Sequence, residues 1–212
     1  MLSLLFLLFI FITLATCKEE EELSVYPIIM PMVVPSKNEI YLCTSVDLSQ
    51  TNETFWIRGF EPRVSKSHRV HHMIVAASDT KPPQSPFNVW NCGNEKHQDP
   101  NYPNHKVFPD SEDGSDTTIY LWARGGQRTM LPPDTAFKVG GSSKIRHLVL
   151  QVHYINVDIE EEKGDSSGVY LYYTREPQKR LAGVLSMHVD TNVPRMARSF
   201  QDVACKISEN KV

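Results

Sequence analysis

Apolar and polar residues alternate along much of this 212-residue chain, and this period of two constrains its fold more than any other feature. Successive side chains of a β-strand point to opposite faces, so such alternation predicts strands that bury one face. The alternation is clearest in residues 40–48 and 148–154. It predicts further strands in residues 55–60, 70–77, 117–123, 169–174, 181–189 and 200–207.

Proline and glycine separate these predicted strands, and helical periodicity is scarce. The chain contains 14 Pro, among them Pro82-Pro83 and Pro132-Pro133, and it also contains the pair Gly140-Gly141. Such residues suit the turns and loops between short antiparallel strands. The pattern therefore predicts an all-β fold, an antiparallel β-sandwich of jelly-roll-like type. Residues 81–115 are polar and long for a loop, which indicates a functional or disulfide-tied excursion.

The N-terminal segment differs in composition from the rest of the chain. Residues 2–14 are almost entirely apolar, but they fall short of the ~20 residues that span a bilayer. Small residues follow, so residues 1–17 are predicted to be a secretory signal peptide cleaved after Cys17, with an uncleaved anchor as the alternative. Residues 18–25 are expected to form an acidic linker. No later segment is apolar enough to cross a membrane, and the mature protein is expected to be secreted.

Secretion changes the expectation for the cysteines and for one asparagine. Thiols pair in an oxidising compartment, and cleavage would leave Cys43, Cys92 and Cys205, which is an odd number. An odd count indicates a free thiol, an intermolecular bond or a missing piece of sequence. Asn52 begins the sequon Asn-Glu-Thr, which in a secreted protein predicts a glycosylated surface loop.

Charge and motif content exclude several classes of function. The chain has 22 basic and 25 acidic residues, a formal net charge of −3, which gives no electrostatic reason to expect nucleic acid as a partner. It contains no Gly-x-Ser-x-Gly, no glycine-rich phosphate loop, and no Cys-x-x-Cys or His-Glu-x-x-His pattern. Metal chemistry, binding and a structural role remain.

The adjacent pair His71-His72 and the single His153 stand out among eight histidines because they lie in predicted strands. Three imidazoles without a nearby thiolate suit copper or zinc. Neighbours on a regular strand point to opposite faces, so His71 and His72 could share one ion only at a twisted strand end or through unusual rotamers. On spacing alone, the commoner arrangement is one core-facing and one solvent-facing histidine, with His153 beside His147 and Gln151 on the polar face of a sheet.

A series of short runs carries more information than the histidines alone. The runs are Tyr41-Leu42-Cys43, Val70-His71-His72-Met73, Tyr120-Leu121-Trp122-Ala123-Arg124, Val139-Gly140-Gly141, Leu148 to Tyr154, Leu181-Ala182-Gly183 and Val189-Asp190-Thr191. Their order and spacing closely resemble the peptidylglycine α-hydroxylating monooxygenase family of copper enzymes, from about Tyr26 to Lys206. Dopamine β-monooxygenase-like proteins share the histidine pair, but the Trp-Ala-Arg and Leu-Gln-Val-His-Tyr runs are more similar to the peptide enzyme.

This resemblance implies a fold of two copper-binding β-sandwich domains, of which residues 26–212 correspond to the first. It implies that His71, His72 and His153 ligate the copper that passes an electron, with Gln151 nearby and facing the cleft between the domains. In the family, the oxygen-binding copper and the residues that grip the peptide carboxylate belong to the second domain. No counterpart of that domain is expected in this chain, and none of its own residues is predicted to be catalytic.

The resemblance also implies a disulfide, a cofactor and partners. It pairs Cys43 with Cys92 and leaves Cys205 without its partner from the second domain. Copper is the implied cofactor, ascorbate the reductant, and oxygen and glycine-extended peptides the substrates, in the first step of peptide amidation. The chain alone is expected not to hydroxylate peptides. The alternatives are a non-enzymatic secreted copper-binding sandwich, a dopamine β-monooxygenase-like fragment and a zinc hydrolase with three histidine ligands.

Overall fold

The computed structural model describes residues 22–65, 69–93, 99–105, 117–156 and 164–184, with isolated positions between residues 192 and 204. Within these residues the secondary structure is almost entirely strand, apart from one short 3₁₀ turn at Pro86–Asn88. The strands are β1 Ser24–Ile29, β2 Ile40–Asp47, β3 Thr54–Arg63, β4 Val70–Ser78, β5 Val89–Asn91, β6 Thr117–Ala123, β7 Thr129–Met130, β8 Thr135–Gly140, β9 His147–Tyr154, β10 Gly168–Thr174 and β11 Arg180–Leu181.

The strands form two sheets that pack as a sandwich, which confirms the predicted all-β class. The larger sheet has the order β1-β10-β3-β8-β11, with β7 also paired to β3. The smaller sheet has the order β5-β2-β9-β4-β6. Neighbouring strands are antiparallel except for the short parallel pair of β11 and β8.

The core lies between the sheets and takes one face of each strand. In β9, Leu148, Leu150, Val152 and Tyr154 point into this core, as their alternation predicts. The other face of β9 is also buried, because a smaller apolar cluster covers it. That outer cluster consists of Cys43, Trp90, Cys92 and Val149, with Tyr41 packed against it.

Six predicted strands are confirmed, one is confirmed only at its first residue, and one is wrong at the positions that the structure describes. Residues 40–48, 55–60, 70–77, 117–123, 148–154 and 169–174 correspond to β2, β3, β4, β6, β9 and β10. Of residues 181–189, only Leu181 is in a strand, residues 182–184 are not, and the rest lie outside the described part. Of residues 200–207, Phe200, Asp202 and Ala204 are described, and they are not in strands.

The predicted excursion at residues 81–115 is tied to the smaller sheet by the disulfide Cys43–Cys92. Its strand β5 pairs with β2, and the Asn91 amide donates hydrogen bonds to the backbone carbonyls of Asp99 and Tyr102 at 2.6 and 2.8 Å. The loop is therefore organised from within by one buried side chain. Asn52 is exposed in the loop before β3, as the sequon requires, whereas the predicted signal peptide and Cys205 lie outside the described residues.

We expect the protein to lose stability as the pH falls below about 6.5, because of His147. This side chain is only 3% exposed, and burial lowers its pKa more than Asp47, 3.5 Å from Nδ1, raises it. The unfolded chain therefore takes up a proton at a pH where the folded state does not, which favours unfolding. Urea unfolding at about pH 7.5 and about pH 5.5 measures the effect, and His147→Gln should reduce the difference. If His147→Gln loses as much stability between these two pH values as the wild-type protein does, the effect does not come from His147.

Candidate metal centre

A β-bulge at the start of β4 solves the geometric difficulty posed by the adjacent histidines. Val70 pairs with Tyr154 and His72 pairs with His153, so His71 is an extra residue with no counterpart in β9. A bulge bends its strand and redirects the side chains beside it. His71 and His72 can therefore approach one side of the sheet together, which a regular strand does not permit.

The three histidines of the predicted site lie together in the structure. The Nδ1 atoms of His71 and His72 are 3.1 Å apart. The ring of His153 lies 5.1 Å from the ring of His71 and 4.8 Å from that of His72, between centroids. One nitrogen from each ring can be chosen so that all three lie within 4.8 Å of one another. Nitrogens bound to one ion at ~2.0 Å are at most ~4 Å apart, so small side-chain adjustments complete the set.

Exposure changes steeply across this cluster. His71 is exposed, His72 is half-buried and His153 is only 9% exposed. Burial, and then the nearby charge of His71, lowers the pKa of His72. A lowered pKa keeps the imidazole neutral near pH 7, which is the form that binds metal. The cluster thus has a buried inner imidazole and an outer side open to solvent.

Tyr41 is a site residue for which the sequence analysis gave no role. It lies opposite His153 in the register of β2 and β9, and the two rings stack at 4.1 Å with an angle of 4°. This contact fixes the ring plane of His153. The run Tyr41-Leu42-Cys43 was part of the resemblance, but only strand register brings Tyr41 to the histidine.

Gln151 lies two residues before His153 on the same outer face of β9. It is 6% exposed, and its Nε2 atom is 3.7 Å from Cys92 Sγ. Its side-chain amide therefore contacts the Cys43–Cys92 disulfide. Gln151 therefore lies near the three histidines, as expected. That it faces another domain stays a prediction.

The donor set fits copper. Three imidazoles come together, and no thiolate or carboxylate joins the cluster among the described residues. Nitrogen-only sets suit copper and zinc rather than magnesium or calcium. Of the other histidines, His147 lies at the far end of β9 beside Asp47, and the described His105 is not part of the cluster. His68, His97 and His188 lie outside the described residues.

The two-sheet β-sandwich thus carries on its outer face an open, all-histidine cluster that could hold a transition-metal ion. Comparison with protein families gives the particular class. Residues 26–161 match the N-terminal domain of the copper type II ascorbate-dependent monooxygenases. The chain therefore belongs to the copper type II ascorbate-dependent monooxygenase family, as the resemblance predicted.

Individual relatives agree with this family. The chain is 33% identical over 179 residues to peptidyl-glycine alpha-amidating monooxygenase A of Xenopus laevis, covering 83% of this chain and 17% of the relative. It is 30% identical over 154 residues to DBH-like monooxygenase protein 1 of Gallus gallus, covering 72% and 24%. It is 28% identical over 159 residues to human dopamine beta-hydroxylase, covering 73% and 24%. The chain spans a quarter or less of the length of these relatives.

Proposed function

We propose that His71, His72 and His153 bind one copper ion and that the domain serves as the electron-transfer half of a peptidylglycine monooxygenase. The observation that carries the proposal is the three-histidine cluster inside the segment that matches the family domain. Bound copper would supply one-electron chemistry, with ascorbate as the reductant that the family description names. Zinc would need a fourth ligand, such as water, beside the three imidazoles.

The residues of the site suit a role in holding a redox ion rather than in activating a substrate. His153 is clamped between strands β2 and β4 and stacked on Tyr41, so its nitrogen has a fixed position. His71 is exposed, so an electron donor or acceptor can reach the cluster from solvent. No described carboxylate or cysteine belongs to the cluster, which supports an electron-transfer role over a zinc hydrolase that needs a carboxylate as general base.

The substrate class follows from the relatives and remains part of the proposal. Peptidyl-glycine α-amidating monooxygenases match at 32 to 34% identity over 83 to 84% of the chain. The DBH-like protein and dopamine beta-hydroxylase match at 28 to 30% over 72 to 73%. We therefore propose glycine-extended peptides and oxygen as the substrates of the complete reaction, which hydroxylates the C-terminal glycine.

Secretion is proposed on three grounds. Residues 1–17 have the pattern of a signal peptide, the structure contains a disulfide, and the Asn52 sequon is exposed. Among the described residues, no helix is long and apolar enough to span a membrane. Intact-mass analysis of material recovered from an expressing cell culture would detect cleavage after Cys17 and any glycan on Asn52. Retention of residues 1–17 would contradict the cleavage.

The test of the proposed function is conversion of a glycine-extended peptide in the presence of copper, ascorbate and oxygen. We expect residues 18–212 alone to bind and cycle copper without hydroxylating the peptide, because one histidine cluster is found in the described part of the chain. Adding the second copper domain of a peptidyl-glycine monooxygenase should give turnover. Turnover by residues 18–212 alone would refute the electron-transfer assignment. Copper binding without turnover in the mixture would favour the non-enzymatic copper-binding sandwich.

A further inference from the structure

The turn after β6, residues 123–126, is held in one conformation by the side chain of Trp122. Gly126 donates its backbone N–H to the Ala123 carbonyl at 2.9 Å, and Gly125 has the positive φ of 88° that a type II turn requires. The Trp122 indole Nε1–H donates to the Gly126 carbonyl at 3.0 Å. A Cβ atom on Gly126 would lie 2.6 Å from the Trp122 ring, so only glycine fits there. The backbone around Arg124 is therefore fixed at both ends.

From this turn, the side chain of Arg124 reaches the neighbouring strand beside the histidine pair. Ala123 is the partner of His72 in the pairing of β6 with β4. Arg124 Nε–H donates to the backbone carbonyl of Val70 at 3.2 Å. Val70 is the first residue of β4, and its pairing with Tyr154 comes immediately before the bulge at His71. The guanidinium thus binds the backbone at the point where the strand departs from regular geometry.

We infer that Arg124 is a positioning residue for the metal centre, acting through the Val70 carbonyl to hold the bulge that brings His71 and His72 together. A bulge interrupts the hydrogen bonds of its ladder, and a charged donor from outside the ladder stabilises the altered backbone. Without it, β4 can relax toward a regular strand, in which the two imidazoles point to opposite faces. The inference rests on the proposed copper site for its functional consequence, but the effect on the bulge does not require copper.

The experiment compares three variants of the full chain. Arg124→Met removes the donor and the charge but keeps much of the bulk, and Arg124→Lys restores a cationic donor. Arg128→Met is the matched control, because Arg128 is also exposed but lies 3.9 Å from the Tyr172 ring, on the larger sheet. If Arg124→Met does not fold, Gly126→Ala is used instead, because its Cβ atom would push against the Trp122 ring and shift the turn that carries Arg124.

Two readouts separate this inference from the proposed function. The first is the set of imidazole ¹H–¹⁵N correlations and the backbone amide exchange of β4 in metal-free protein. In Arg124→Met we expect shifted rings for His71 and His72 and faster exchange near the bulge. The second is the copper Kd, expected to rise about tenfold, the effect of losing one charged hydrogen bond. Arg124→Lys should recover part of both changes, and Arg128→Met should show neither.

The outcomes distinguish the positioning role of Arg124 from the proposed copper-dependent function. Unchanged rings and unchanged Kd in a folded Arg124→Met, or in Gly126→Ala if that variant is needed, would overturn the inference. Equal changes in Arg128→Met would also overturn it, because they would show a general effect of lost charge. If the wild-type protein binds no copper while the rings of Arg124→Met still shift, the positioning of the bulge stands and the proposed function fails.

Discussion

Replacing His153 by alanine should abolish tight one-to-one copper binding, the largest functional effect that we expect from a single substitution. His153 is the buried member of the cluster, and its ring is fixed by Tyr41 and by strands on both sides. Removing it leaves only the exposed His71 and the half-buried His72, and we expect two imidazoles to hold copper more weakly than three. The affinity should fall by at least about a hundredfold, or ~2.7 kcal/mol. Competition with a Cu(I) chelator measures the affinity, and elemental analysis measures the stoichiometry.

The matched control for this variant is on the same strand. His147 is a second buried histidine on the same face of β9, but it lies beside Asp47 rather than in the cluster. His147→Ala should therefore retain one copper per chain. Wild-type stoichiometry and affinity in His153→Ala would remove this residue from the site. Loss of copper in His147→Ala alone would place the metal at the other end of the strand.

The strands that frame the site could be predicted from the sequence because they follow a simple alternation. β2, β4, β6 and β9 belong to the smaller sheet, and each has one face in the main core. A buried face forces every second residue to be apolar, and this periodicity is visible without any knowledge of partners. The fold class and the strands that carry the three histidines therefore follow from the sequence alone.

The missed strands have weaker patterns for identifiable reasons. β1 is at the edge of the larger sheet, contains Pro27 and has four exposed residues at its start, so little alternation marks it. β8 begins two residues after Pro132-Pro133 and ends at Gly140, the first of two adjacent glycines, so turn signals flank or overlap this short strand. Conversely, residues 182–184 continue an apolar run but are not in a strand, and Ala182 N–H makes one backbone hydrogen bond to the Ala136 carbonyl of β8. Pairing depends on neighbouring strands, which local sequence does not specify.

The bulge at His71 could not be predicted from the alternation of apolar and polar residues. Strand periodicity predicts opposite faces for His71 and His72, and this expectation is correct for a regular strand. The bulge arises from the register between β4 and β9, and the hydrogen bond from Arg124 to Val70 lies beside it. A functional site is where a local rule is most often broken by tertiary structure. The resemblance indicated which three histidines form the candidate site. How they come together could be seen only from the pairing of β4 with β9.

The largest effect on stability should come from removing the Cys43–Cys92 disulfide. The two cysteines are 49 residues apart, and a cross-link that closes a loop of this length stabilises a protein by about 4 kcal/mol in the chain-entropy model. The bond also lies in the outer cluster with Trp90 and Val149, so its loss removes buried contacts as well. We expect the double variant Cys43→Ala/Cys92→Ala to unfold at a markedly lower urea concentration. Alanine is preferable to reduction for any copper measurement, because a free thiol would compete with the histidines for Cu(I).

The slope of the urea transition distinguishes the loss of the cross-link from the loss of packing. A chain without the disulfide unfolds to a more expanded state, so the m-value should increase along with the fall in stability. Val149→Ala is the matched control, because it truncates a 1% exposed side chain in the same cluster and keeps the bond. It should lower stability by about 1 to 3 kcal/mol with an unchanged m-value. A double variant with wild-type stability would mean that the paired strands β2 and β5 already fix this loop. The disulfide would then contribute little to holding the outer face on which the three-histidine cluster lies.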